Sequence, residues 1–392
     1  SENGIVVVRS GYKQTEVGVI PEHWDALAIG RIVTGVASGT SNTKTVTGDV
    51  PIYGSTGVIG TTLVADYSGD KILIARVGAN AGTVNRVAGR YSVSDNTLMV
   101  SLNEGQNLDF VYFQLLRKNL NTLVYGSGQP LVTGSQIKAL RIPVPQDSNE
   151  QKAIAEALSD VDGLIAGLEA LIAKKRDLKT ATMQQLLTGK TRLPGFGEGV
   201  GMKQTELGKI PEDWGVFKFG RNFNIFAGGD VPKHSLSGIQ TEEHPHPIFA
   251  NAIRKSGLYG YTAEKRSEGN SITITARGFL GHAEYRSVPF FPIVRLLVME
   301  PTGGLDAKFA TYSINERVEF AIESTGVPQL TAPQVKRYSL AAPRNKEEQE
   351  SIATVLSDMD ELIADLDARL NKSKALKQGM MQELLTGRTR LI

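Results

Sequence analysis

Two stretches of the chain repeat apolar residues in alternating steps of four and three. The first is Ile154, Leu158, Val161, Ile165, Leu168 and Ile172; the second is Ile352, Leu356, Met359, Ile363, Leu366 and Leu370. This heptad spacing predicts two long helices, the first from about residue 149 to 187, with core positions continuing to Leu186 and to Met380 and Leu384. At 1.5 Å per residue the first would be about 57 Å long. Pro145 and Pro343 lie just upstream, and Gly189 and Gly387 sit where a helix-ending glycine belongs. Lys175, Lys179 and Lys377 interrupt the seam, and either snorkel to water or mark looser packing. A helix with one apolar stripe needs a partner, and its own repeat is the nearest. The first helix starts at one insert and ends at the next; the second starts there and runs to the end. The expectation is an antiparallel coiled coil with pseudo-two-fold symmetry, rather than two helices that each pack on their own domain.

Elsewhere the pattern is short and β-like. Lys71–Ala75, Ser271–Thr275, Thr97–Val100 and Val294–Val298 read as strands, whereas Leu108–Lys118 and Ala307–Ser313 have helical character. These segments fall in two inserts, about 11–147 and 202–345, which read as small mixed domains. The inserts share little, but their borders repeat. Lys13-Gln14-Thr15-Glu16-Val17-Gly18-Val19-Ile20-Pro21-Glu22-His23-Trp24 returns as Lys203-Gln204-Thr205-Glu206-Leu207-Gly208-Lys209-Ile210-Pro211-Glu212-Asp213-Trp214. Glu150-Gln151 opens the first helix and Glu348-Gln349 the second. Leu186-Leu187-Thr188-Gly189-Lys190-Thr191-Arg192-Leu193 recurs as Leu384-Leu385-Thr386-Gly387-Arg388-Thr389-Arg390-Leu391. A period near half the chain is a tandem domain duplication. The glycine-rich linker 193–201 reads as flexible. The resulting division is 11–147, helix 148–190, linker 191–201, 202–345 and helix 346–387. One scaffold therefore carries two different inserts.

Composition narrows the classes of function. The 392 residues are too many for one core. Forty-three basic and 41 acidic residues leave a net charge of +2, which excludes an overall polybasic chain but not local basic surfaces. There is no cysteine, hence no disulfide, thiolate metal site or cysteine nucleophile, and the reading is cytoplasmic. The first residues lack the basic start of a signal peptide, and no stretch approaches a membrane span.

No catalytic constellation emerges. Thr188-Gly189-Lys190-Thr191 resembles the tail of a phosphate-binding loop, but Gln184 stands where its first glycine belongs, so a helix cap with a basic last turn is favoured. Gly54–Gly60 has a strand–turn context and reads as a turn. His244 and His246 lack further metal ligands and read as loop residues. What remains are glycine-rich loops with arginine and asparagine, the side chains best shaped for guanine and adenine edges. Arg76, Asn80, Asn85 and Arg86 lie in one such loop, and Arg277 in its counterpart. Arg76 and Arg277 read as matched positions, with binding and structural capping both open. Lys44, Ser55, Thr56, Lys233, His234, Arg254, Lys255 and Arg286 complete the candidates for DNA binding, each weighed against a solvated surface residue.

The repeated borders resemble the specificity subunit of type I restriction–modification enzymes, over essentially the whole chain. Within the inserts, Pro51–Gly57, Ile74–Gly78 and Gly126–Thr133, the last matched by Ser324–Thr331, look like patterns of target-recognition domains. Pro247-Ile248-Phe249-Ala250-Asn251 departs from the first pattern. The resemblance implies a fold class of α+β: two α/β target-recognition domains in tandem, each followed by a long helix of the coiled coil. It also implies a non-catalytic chain that reads a bipartite site in double-stranded DNA. Its partners would be two methyltransferase subunits and ATP-driven restriction subunits, with no membrane. No cofactor would belong to the chain; S-adenosylmethionine, ATP and Mg would belong to those partners. The rival readings are a two-domain interaction adapter without a DNA role, and an enzyme whose site forms at the pseudo-dyad.

Overall fold

The structure, a computed structural model, describes residues 8–41, 48–124, 131–321 and 328–391. Lys44, residues 126–130 and residues 324–327 lie outside them. The chain divides into two compact units. The second is Leu171–Asp367; the first is formed by the stretches that flank it, up to Ala170 and from Ala368. Each long helix, Ser148–Leu186 and Lys346–Leu384, therefore contributes one part to each unit.

Both units are built to one plan. Each opens with a hairpin, Tyr12–Thr15 with Gly18–Pro21 in the first and Met202–Thr205 with Gly208–Pro211 in the second. A strand after the tryptophan then pairs with the strand that precedes the long helix, Trp24–Ala28 with Arg141–Pro145 and Trp214–Lys218 with Ser339–Pro343. The central sheet of the first unit has the order Val33–Ser38, Thr97–Leu102, Lys71–Ala75, Val84–Val87. That of the second is Phe223–Ala227, Leu297–Pro301, Ser271–Ile274, Ala283–Arg286. Ile72 and Ile74, like Ile272 and Ile274, are fully buried in it, as a strand covered on that face requires. The strand expected at Val294–Val298 begins only at Leu297, because residues 294 and 295 form a turn. A helix packs on each sheet: Leu108–Arg117, capped by Asn107, and Ala307–Arg317, capped by Asp306. The second runs a turn beyond the expected Ser313.

The repeated borders meet at one junction per unit. In the first unit, Glu150 is 1% exposed, and its carboxylate accepts from Trp24 Nε1 at 3.0 Å and from Arg390 at 2.8 and 2.9 Å. Gly387, at φ 70°, packs so closely on Pro21 that an added Cβ would lie 2.5 Å from its ring. In the second unit, Arg192 holds buried Glu348 at 2.5 and 2.7 Å and Asp213 at 3.0 and 2.7 Å. The closing motif of the second half thus completes the junction of the first unit, and that of the first half completes the second. The linker is folded into turns at 194–195 and 198–199 rather than left as an extended spacer.

The two long helices run antiparallel within each unit. Asp162 pairs with Lys377 at 2.6 Å and Glu169 with Lys374 at 2.7 Å in the first. Arg176 pairs with Asp367 at 2.8 Å and Lys179 with Asp360 at 2.5 Å in the second. As one number rises its partner falls. Lys179 and Lys377, which interrupt the heptads, are thus tied to aspartates of the opposite helix, and each ammonium also lies over a ring, Tyr312 and Phe113 respectively.

Candidate nucleic-acid interface

In the first unit three backbone turns converge. Ser55 and Thr56 form the two-residue turn between Val50–Gly54 and Gly57–Thr62, which Gly57 at φ 95° closes. The carbonyl of Asn96, in the turn before Thr97–Leu102, accepts from Ser55 Oγ at 2.6 Å and from the Arg76 amide at 2.9 Å. Arg76 O accepts from Val132 N at 2.9 Å, beside the isolated bridge that joins Val77 to Leu131. The Arg76 guanidinium turns inward: Nη1 donates to Ser38 Oγ at 3.1 Å and to Asp95 O at 3.4 Å, and Nε is buried without a partner among the described residues. Asn80 is exposed in the turn that follows. Asn85 and Arg86 lie further along, on Val84–Val87. Arg86 is bound to Asp109 at 2.5 Å and lies 4.6 Å over Tyr112, so it braces the helix Leu108–Arg117.

The second unit repeats the convergence with other residues. Asn251 occupies the place of Ser55. Its Oδ1 accepts from the Ala276 amide at 2.6 Å and its Nδ2 donates to Arg277 O at 2.7 Å. Leu330 N donates to Ala276 O, as Val132 N does to Arg76 O. These bonds correct the expected match. Arg76 coincides with Ala276, and Arg277 with Val77. A one-residue offset in extended backbone turns a side chain to the other face. Arg277 is accordingly exposed, with no side-chain partner among the described residues, whereas Arg76 is tucked in.

The remaining candidates scatter. Arg254 and Lys255 sit exposed in the turn Arg254–Gly257 after Asn251, with Lys255 at φ 51°. Arg286 is 6% exposed and packs 3.7 Å over the Phe249 ring. It donates to Thr273 Oγ1 at 2.9 Å, Ser256 O at 2.9 Å and Glu284 at 3.0 Å. Burial lowers its pKa, and its bonds hold the Arg254–Gly257 turn against the sheet. Lys233 and His234 lie in the turn Lys233–Ser235, where His234 faces Glu264 at 2.8 Å. His244 shares a bond with Thr241, and no described cluster of three His, Asp or Glu is placed to hold a metal. Among the described residues no helix is long and apolar enough to cross a membrane.

Residue-level reading missed Asn251, Arg295 and Gln329. Arg295 is exposed in the turn 294–295, and its Nη1 donates to Gln329 Oε1 at 3.0 Å. The apolar run Val294–Val298 hid it as a strand; the signal available was the polar turn Ser94-Asp95-Asn96 at the equivalent place in the first half.

Comparison with known proteins agrees with this architecture. The family described as "Type I restriction modification DNA specificity domain" matches residues 21–174 and again 211–373. A putative type I restriction enzyme MjaX specificity subunit of Methanocaldococcus jannaschii is 24% identical, over 97% of each chain. A putative type I specificity subunit of Mycoplasma pneumoniae is also 24% identical, over 86% of this chain and 89% of that one. Among solved structures, the S subunit of a type I restriction–modification system from M. genitalium superposes with a TM-score of 0.70 at 18% identity, over 92% of this chain and 96% of that one. With two copies of its domain spread over most of its length, the chain belongs to the type I restriction–modification DNA specificity family.

Proposed function

We propose that each unit reads one half of a bipartite site in double-stranded DNA through its converging turns. The observation that carries this is a contrast. The junctions are duplicated nearly residue for residue, whereas the turns gathered around Asn96 and Asn251 differ in nearly every exposed side chain. A scaffold kept constant around variable polar turns suits recognition of two unlike sequences. Residues 11–147 and 202–345 act as target-recognition domains, the helices at 148–190 and 346–387 set the spacer, and the linker 191–201 joins the two halves. Half-sites about one helical turn apart, roughly 34–36 Å, would present one DNA face to both.

The chain carries no catalysis of its own in this reading. Two methyltransferase subunits dock on the helices, restriction subunits join for cleavage, and S-adenosylmethionine, ATP and Mg act in those partners, in the cytoplasm. Of the candidates, Ser55, Thr56, Asn80, Arg254, Lys255 and Arg277 face the DNA; Arg76, Arg86 and Arg286 support them. The test is an exchange. Replacing residues 25–145 by those of a relative, in the assembly with the cognate methyltransferase, should alter one half of the methylated sequence only. Change in both halves overturns the assignment.

A further inference from the structure

Backbone bonds superimpose three positions of the two units, all exposed in the second and, in the first, exposed at Asn96 and half-buried at Val77 and Leu131. Leu98 pairs with Ile74 as Leu297 pairs with Ile274, so Asn96 coincides with Arg295. Isolated bridges join Val77 to Leu131 and Arg277 to Gln329, so these pairs coincide as well. The same patch therefore holds Val77, Asn96 and Leu131 in the first unit and Arg277, Arg295 and Gln329 in the second.

The chemistry differs sharply. In the second unit one glutamine meets both arginines, Arg295 through its guanidinium and Arg277 through a backbone bridge. Gln329 is the bridge neighbour of Arg277, and its Oε1 accepts from Arg295 Nη1 at 3.0 Å. No acidic residue pairs with either arginine among the described residues. Two solvated arginines would need no such arrangement. A guanidinium carries five N–H donors in a fixed fork, and one bond to Gln329 orients the Arg295 fork while leaving its other donors free. Guanine presents two acceptors, O6 and N7, to such a fork in the major groove, whereas the thymine methyl favours apolar side chains and asparagine fits the adenine edge.

We propose that Arg277 and Arg295, the latter oriented by Gln329, read guanine in the half-site of the second unit. The first unit, with Val77, Asn96 and Leu131 in the same places, reads A·T pairs there. This rests on the reading of both units as DNA readers.

The test uses the full chain assembled with its cognate methyltransferase on a duplex library randomised through both half-sites, with the methylated products sequenced. The parent chain should select guanine in one half-site and A·T pairs at the corresponding place of the other. Arg277→Lys and Arg295→Lys keep the charge but lose the fork. Each should lower the guanine preference about 10- to 100-fold at one position, with the other half-site unchanged. That unchanged half reports a folded, assembled protein. The combined exchange R277V, R295N and Q329L should convert the guanine preference to A·T. Lysine variants that keep guanine while binding all sequences less tightly would make the arginines phosphate contacts and overturn the proposal, as would a parent with no guanine in either half. A parent that selects no bipartite sequence at all would instead sink the DNA reading beneath it.

Discussion

Glu150 is a carboxylate 1% exposed that accepts hydrogen bonds from Arg390 and Trp24. Arg390→Ala leaves that charge buried and unpaired, and should destabilise the fold by about 3 kcal/mol in denaturant unfolding. Retained stability would show that water reaches Glu150. At the second junction, the hydrogen bond from Arg192 holds the Asp213 carboxyl below its usual pKa. A folded-state pKa below the unfolded one means the contribution is present above the unfolded value and lost as pH falls through the folded value. Arg76 and Arg277 should part company on substitution. Arg277→Ala should weaken DNA binding by about 1–3 kcal/mol with stability unaltered. Arg76→Ala removes the bond to Ser38 Oγ and should lower stability by about 1 kcal/mol as well as binding. Equal behaviour of the two in paired melting and binding assays would contradict the register derived from the backbone bonds.

Among the elements, the long helices are where an interruption in pattern has structural meaning. Lys377 and Lys179 sit at equivalent places and reach Asp162 and Asp360; Tyr312 Oη adds a bond of 2.7 Å to Asp360. Burial and that hydrogen bond raise the Tyr312 pKa. Such a partly buried pair at a core position specifies register and orientation. Asp162→Ala should cost about 2 kcal/mol, since it strands the lysine. Replacing both partners by apolar residues should recover most of that loss, because a well-packed apolar pair spares the desolvation of two charges. A double variant no more stable than the single one would count against this account. The heptad spacing made the helices legible, the first from about 149 to 187 against an observed Ser148–Leu186, but not the fate of the lysines, which depends on residues 181 or more positions away.

In the molecule as a whole, the chain's described ends meet at one junction. Tyr12 Oη donates to Gly387 O at 2.9 Å and Arg9 to Arg388 O at 2.9 Å. In the second unit the linker joins the corresponding segments covalently. A circular permutant that ties residue 391 to residue 8 through a short glycine linker, and opens between Pro194 and Gly199, should fold and keep the same methylated sequence. Aggregation of that permutant, with the parent soluble, would mean that the 194–199 turns are needed for the fold.

Local sequence determined the repeat, the two long helices with their closing glycines, and half of the central strands, because apolar period and turn residues act over a few neighbours. Gln349, for example, announces a helix start by position, and the fold then uses it to cap Asp306 as well. Tertiary structure alone decided which closing motif completes which junction, since Arg390 and Glu150 are joined by packing and not by spacing. It also decided the face each arginine takes. Arg76 and Arg277 look alike in sequence, but the pairing with Leu131 and Gln329 sets their strand register, and one residue of register separates a half-buried brace from a free guanidinium.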